Sequence, residues 1–181
     1  MRIRMSRLLF VSALLAALLS VPYARAEVYQ SPEDFLSEVF AGDVPTPAAL
    51  WLTGEMRESA EDILGHEPPQ LRVRYWLRGA RSAWVLEEIG KEKPITTGIV
   101  VDAGRIERIR VLIFRESRGW EVRHDFFTDQ FVRLGLADDR KLDGPIDGIS
   151  GATLSVRALT KLARLALYLH QQTPAAAHVA P

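Results

Sequence analysis

The 181-residue chain predicts an α+β fold: an antiparallel, twisted sheet of about four strands with helices packed on it. Three observations carry that prediction. From residue 71 apolar and polar side chains alternate with a period of two, the pattern of strands buried on one face. Glycine-bearing turns separate these segments at hairpin spacing. The chain then closes on a long stretch, about Leu154 to Gln171, whose apolar residues recur with helical period.

Taken in order, residues 1–26 read as an export leader rather than as fold. Arg2, Arg4 and Arg7 form a basic start, Leu8 to Leu19 an apolar run short for a bilayer, and Ala24-Arg25-Ala26 a small-residue cleavage site. This predicts a mature chain starting at Glu27 and a periplasmic location. Residues 27–70 read as an N-terminal helical brace. Ser31-Pro32-Glu33-Asp34 predicts an N-capped helix with proline in its first turn, stopping near Gly42. Asp43 to Ala49, with Pro45 and Pro47, reads as a linker, and Leu50 to Leu64 as a second helix ending at Gly65.

Residues 71–172 form the predicted main domain. Leu71, Val73, Tyr75 and Leu77 alternate with Arg72, Arg74 and Trp76, and Arg78-Gly79-Ala80-Arg81 turns into a strand over Ala83 to Glu88. Pro94 to Val101 and Ile106 to Phe114 flank a hairpin turn at Asp102-Ala103-Gly104-Arg105. On the second of these strands Ile109, Val111 and Ile113 share one face, and Arg108, Arg110, Leu112 and Phe114 the other. His124 to Leu134 predicts a short amphipathic helix and Asp138 to Pro145 a polar loop. In the last helix Val156, Leu159, Ala163 and Ala166 form the core stripe, with Arg157, Lys161 and Arg164 on another; residues 173–181 read as a disordered tail.

Composition narrows the chemistry. With no cysteine, the chain has no disulfide, Cys-ligated iron–sulfur cluster or covalent haem of the C-x-x-C-H type. Loss of the leader, with its four arginines, leaves four more acidic than basic side chains, which gives nucleic-acid binding no support. Arg105, Arg108, Arg110, Arg115, Arg118 and Arg123 cluster along the chain, either as a solvated sheet face or as a docking patch for an anion. His66, His124, His170 and His178 lack metal-site spacing, and neither a Walker A loop nor a Rossmann fingerprint is present.

The stretch Asp147-Gly148-Ile149-Ser150-Gly151-Ala152-Thr153-Leu154-Ser155 is different in kind. It predicts a tight turn that delivers a hydroxyl to a helix start, where unpaired backbone N–H groups and the macrodipole favour a phosphate. Gly148 and Gly151 admit close backbone approach, and Ala152 keeps bulk away. The same letters also describe ordinary capping, with Ser150 or Ser155 accepting an N–H.

This order of residues resembles the attachment site of the covalent FMN-binding domain family, which includes the C subunit of sodium-translocating NADH:quinone reductase and the G subunit of Rnf complexes. The resemblance covers roughly Pro94 to Gln171 and makes 71–172 an FMN-binding domain. It implies FMN joined through a phosphoester to Thr153 by a flavin transferase that uses FAD and magnesium, with Ser155 the competing hydroxyl. It also implies an electron carrier served by a membrane or periplasmic redox partner rather than a self-contained enzyme. A second landmark of the family, a glutamate opening a glycine-containing loop, is matched by Glu116-Ser117-Arg118-Gly119, with Arg118 where relatives commonly carry proline.

In that loop Gly119 lets backbone approach a flat ring, Trp120 and Phe127 can cover an aromatic face, and Arg118 can sit at the flavin edge that becomes anionic on reduction. The alternatives are plain: Trp120 and Phe127 as core, Arg118 as a solvated charge, Glu116 as a turn cap or arginine partner. A non-covalent flavin-binding or sensing module with no carrier role remains the alternative function.

Overall fold

The computed structural model describes residues 26–178, so the leader expected over 1–26 lies, but for Ala26, outside the described residues. The fold is α+β, and its antiparallel sheet has six strands in the order β1-β6-β5-β4-β3-β2. The central four are those the sequence predicts: β3 (Arg72–Arg78), β4 (Arg81–Ile89), β5 (Pro94–Asp102) and β6 (Arg105–Phe114).

The two extra strands come from the stretch expected to be a helical brace. β1 (Glu27–Val28) pairs with Phe114 and Ile113 at one edge, and β2 (Ala48–Trp51) with Tyr75 to Arg72 at the other. β1 is too short for a periodic signal. Ala48-Ala49-Leu50-Trp51 has helix-forming letters, yet the open edge of β3 recruits it as a strand, tertiary pairing overriding local preference. Between them lie α1 (Pro32–Val39), capped by the Ser31 hydroxyl, and α2 (Gly54–Leu64), closed by Gly65 in the left-handed region.

The sheet is covered on both faces. On one, Phe35 of α1 lies flat against Gly98, where any Cβ would stand 2.7 Å from the ring. Ion pairs fasten this helix: Glu38 accepts from Arg108 and Arg110, and Arg81 holds both Glu107 and the Val39 carbonyl. Several of the clustered arginines are therefore fasteners, and Arg105 likewise holds Asp143. On the other face lies α4 (Thr153–Gln171), with α2 beside it and Leu159, Leu162, Ala163 and Ala166 fully buried.

Bulges revise the predicted face assignment of β6. Irregularities at Thr96/Thr97 and Val100/Val101 of β5 insert one extra β6 residue each. As a result Ile106, Ile109, Val111 and Phe114 all join the core under α4, while Leu112 and Ile113 pack under α1. Phe114 and Ile113 thus exchange the faces that strict alternation predicts.

Two further corrections concern the C-terminal half. The helix expected over His124 to Leu134 is instead a 3-10 turn (Trp120–Arg123), a single helical turn α3 (Asp125–Thr128) and another 3-10 turn (Asp129–Phe131). Extended backbone at His124 and Val132 and a left-handed Arg133, at φ 71°, confine the helical turns to the residues between, where Phe127 and Phe131 are buried edge to face at 5.4 Å. The expected tail begins as packed chain: Thr173 and Ala175 are buried, and Pro174–His178 forms a 3-10 helix. Residues 179–181 lie outside the described residues.

Candidate functional site

Three elements meet at the N-terminus of α4. The turn before it closes through the Ala152 N–H donating to the Ile149 carbonyl at 3.0 Å, with Gly151 at φ 83° as its third residue. That conformation suits glycine and strains other residues, so Gly151 sets the direction in which Thr153 enters the helix. Ala152 is buried against the core and no side chain caps the helix. The first turn carries no acid, and the N–H groups of Thr153, Leu154 and Ser155 have no acceptor among the described residues. The capping role open to Ser150 and Ser155 is therefore taken by neither.

Gly151 to Ser155 form one wall of a cleft of about 540 Å³, within the size range of small-ligand sites. Lys91, Glu116, Ser117 and Arg118 form the facing wall. Glu116 builds that wall: its Oε1 accepts the backbone N–H groups of Lys91, Glu92 and Lys93 at 2.5, 2.6 and 2.8 Å. The β4–β5 turn and the loop after β6 become one unit, and Gly90 sits tightly between them: a Cβ there would stand 3.0 Å from Glu116 Oε1 and from Ile95 Cδ1. Burial raises the Glu116 pKa, but the three N–H bonds and the Lys91 charge outweigh it and hold the carboxyl below its ordinary value. Glu116 thus caps the turn rather than pairing with an arginine, and it stays ionised at neutral pH.

The two walls touch at Gly119, at φ 84°, where a Cβ would stand 2.6 Å from Ser155 Oγ. Ser155 is buried under this contact at 4 % exposure, whereas Thr153 is exposed on the cleft wall. The two candidate hydroxyls are sorted by the fold.

Of the residues singled out in the sequence, Glu116, Arg118, Gly151, Ala152, Thr153 and the buried Ser155 line the cleft, and Gly119 joins its walls. Asp147, Gly148, Ser150 and Trp120 do not line it. Asp147 is exposed, and its backbone N–H donates to Gln130 Oε1 at 2.7 Å, which ties the loop down. Gly148 has open space around it and no positive φ. Trp120 is 43 % exposed, flanked by the Arg123 guanidinium at 5.3 Å and the edge of His124 at 5.4 Å. Phe127 is wholly buried, so it is core and faces no ligand. No aromatic side chain lines the cleft. Lys91 was missed, because only the Glu116 bonds bring the β4–β5 turn to α4; the single signal for it in the sequence is its place in a tight glycine-opened turn.

The residues present suit a bound FMN phosphate: unpaired N–H groups at an uncapped helix start, two cations opposite, and no acid in the first helical turn. No curated protein matches the chain. Residues 90–168 match the FMN-binding domain, a span running from the Lys91 turn through most of α4. This segment, which holds both walls of the cleft, is similar to the FMN-binding domain family.

Proposed function

We propose that the protein is an exported electron-transfer flavoprotein carrying FMN joined covalently to Thr153 through a phosphoester. The observation that carries this reading is the contrast between the two hydroxyls: Thr153 stands exposed in the cleft at the first helical position, and Ser155 lies buried beneath Gly119. A transferase acting from outside reaches the first and not the second. Bound there, FMN supplies reversible electron uptake and release.

The chain's own residues serve that group in distinct ways. The N–H groups at the start of α4 hold the phosphate, and Lys91 and Arg118 offset its charge and that gained by the ring on reduction. Glu116 keeps the Lys91 turn in place, and Gly119 leaves the walls in contact. Attachment by an FAD- and magnesium-dependent flavin transferase fits the site. Thr153 Oγ1 bonds to the FMN-side phosphorus of FAD, the pyrophosphate link breaks, and AMP leaves with the hydroxyl proton passing to its phosphate. The leader over residues 1–26 supports export to the periplasm, where a soluble or membrane-bound redox partner exchanges electrons with the carrier.

A second reading, reversible flavin binding without an ester, is favoured by the anion-suited helix start, which holds a phosphate with or without a covalent bond. The intact mass of the denatured, exported protein after coexpression with a flavin transferase separates the two. The carrier reading expects a gain equal to FMN less water, lost in Thr153→Ala and kept in Ser155→Ala. Flavin released on denaturation favours the second reading, and flavin retained by Thr153→Ala sinks the assignment of the site.

A further inference from the structure

A second cavity, of about 420 Å³ and sharing no residue with the flavin cleft, lies where the sheet comes apart. β3 pairs with β4 only from Tyr75 to Arg78, against Trp84 to Arg81. Beyond Tyr75 the two strands part: Arg72 to Arg74 stay with β2, while Val85 to Ile89 stay with β5. Of the residues that pairing leaves without a neighbour across the gap, Arg72 to Arg74 and Val85 to Glu87 line the cavity.

The cavity is lined from both layers of the core. Trp76, Val85 and Ile113 line it on the α1 face, and Leu52, Leu64 and Leu165 on the α4 face. Apolar side chains on both faces suit this slot to an apolar chain. Its rim is charged in a particular way. Arg78, Arg81 and Arg115, on the same sheet, each hold a carboxylate. Arg72 and Arg74 hold none among the described residues; the guanidinium of Arg72 stands only over the Trp51 ring, at 6.0 Å. Of the acids at the rim, Glu87 is engaged by Arg115 and Thr96, and Glu33 sits on the α1 side.

We propose that this slot binds an amphipathic anion: an acyl chain inserted between β3 and β4, with its terminal carboxylate held by Arg72 and Arg74. Burial of the chain supplies the attraction, and two guanidinia without carboxylate partners select the charged head. The site is independent of the flavin cleft and is occupied alike in flavin-loaded and flavin-free protein.

Dodecanoate, kept below its micelle concentration and titrated into the mature protein by calorimetry, tests the proposal. The expected result is saturable one-to-one binding, weakened at least tenfold in the Arg72→Gln/Arg74→Gln double variant and at least tenfold when neutral dodecanol replaces the acid. Val73→Trp, which fills the slot and leaves both arginines, abolishes binding while circular dichroism reports an intact fold. Absence of saturable binding overturns the proposal, as does equal affinity in the double variant. So does tighter binding of an extended acidic heptapeptide than of dodecanoate, which makes the gap a site for strand addition instead.

Discussion

The two ends of α4 are built on opposite principles. At its C-terminal end polar groups are matched: the Gly104 N–H donates to His170 Nε2, His170 Nδ1 faces Ser82 Oγ at 2.7 Å, and Trp84 Nε1 donates to that same oxygen at 2.8 Å. The Thr173 hydroxyl closes the end by donating to the His170 carbonyl at 2.7 Å. At its N-terminal end three N–H groups are left open, without cap or first-turn acid, across the cleft from two cations. One helix is anchored where it is buried and left unsatisfied where it meets solvent. Capping the open end is among the simplest ways to stabilise a helix, so its omission marks that end as a place for a ligand.

Breaking the anchored end has the largest expected effect. His170→Ala removes a side chain 1 % exposed, leaves the Gly104 N–H without its acceptor and takes one of two partners from Ser82 Oγ, which keeps the Trp84 Nε1 donor. A cavity plus a lost acceptor predicts a loss of about 2–4 kcal/mol. Urea denaturation checks it. The flavin cleft, at the other end of the helix, keeps its affinity for free FMN in folded His170→Ala; a matching loss there shows that the two ends are not separable.

Glu116→Ala comes next, at about 1–3 kcal/mol, because three backbone N–H groups lose a charged acceptor. Here the functional effect exceeds the structural one. The Lys91 turn detaches from the cleft wall, and affinity for free FMN, measured on the Thr153→Ala protein to exclude attachment, falls with it. Glu116→Gln, which keeps an acceptor of the same shape, retains most of the stability. If stability falls in Glu116→Ala and FMN affinity does not, Lys91 plays no part in the site.

The anchored end also titrates. Burial holds the pKa of His170 below its ordinary value of 6.5, so the unfolded chain binds more protons than the folded one across that interval. Its contribution is present above the ordinary value and is lost as the pH falls below it. His66 acts in the opposite sense: its bonds to the Glu67 carbonyl and the Glu88 carboxylate raise its pKa, so its contribution is present in acid and lost as the pH rises through the raised value. Stability measured from about pH 5 to about pH 8 therefore climbs more steeply in His66→Gln than in the parent, and the climb flattens when His170→Gln is added. An unchanged slope in the double variant assigns the titration to other groups.

This contrast between ends explains which parts were legible in the sequence. α4, the Ala103-Gly104 hairpin and the Gly151 turn depend on residues close together in the chain, and each was found with nearly its observed bounds. β2 was misread because its strand character comes from β3, and Phe114 was placed on the wrong face because bulges leave no mark on a period-two pattern. Within the site, Thr153 and Gly151 were visible as a local motif. Lys91, 62 residues upstream of Thr153, becomes part of the site only through three N–H bonds to a single carboxylate oxygen. Asp147, Gly148 and Ser150 were taken in by their closeness in sequence, yet the turn at Gly151 carries the chain past them before the cleft begins.

The smallest predicted change sharpens the contrast most, since it moves stability and binding in opposite directions. Leu154 is 40 % exposed in the first turn of α4 and lines the cleft. Leu154→Glu places a carboxylate at a helix start that has none, and the macrodipole makes this favourable by about 0.3–1 kcal/mol. The same charge stands where an FMN phosphate belongs and repels it. The variant is therefore expected to melt slightly higher than the parent while binding free FMN more weakly, and the binding defect shrinks at high salt because the repulsion is screened. Riboflavin, which lacks the phosphate, is the control: its affinity changes less than that of FMN. Should both ligands weaken equally, Leu154 contributes by contact with the ring, and the open helix end is not where the phosphate sits.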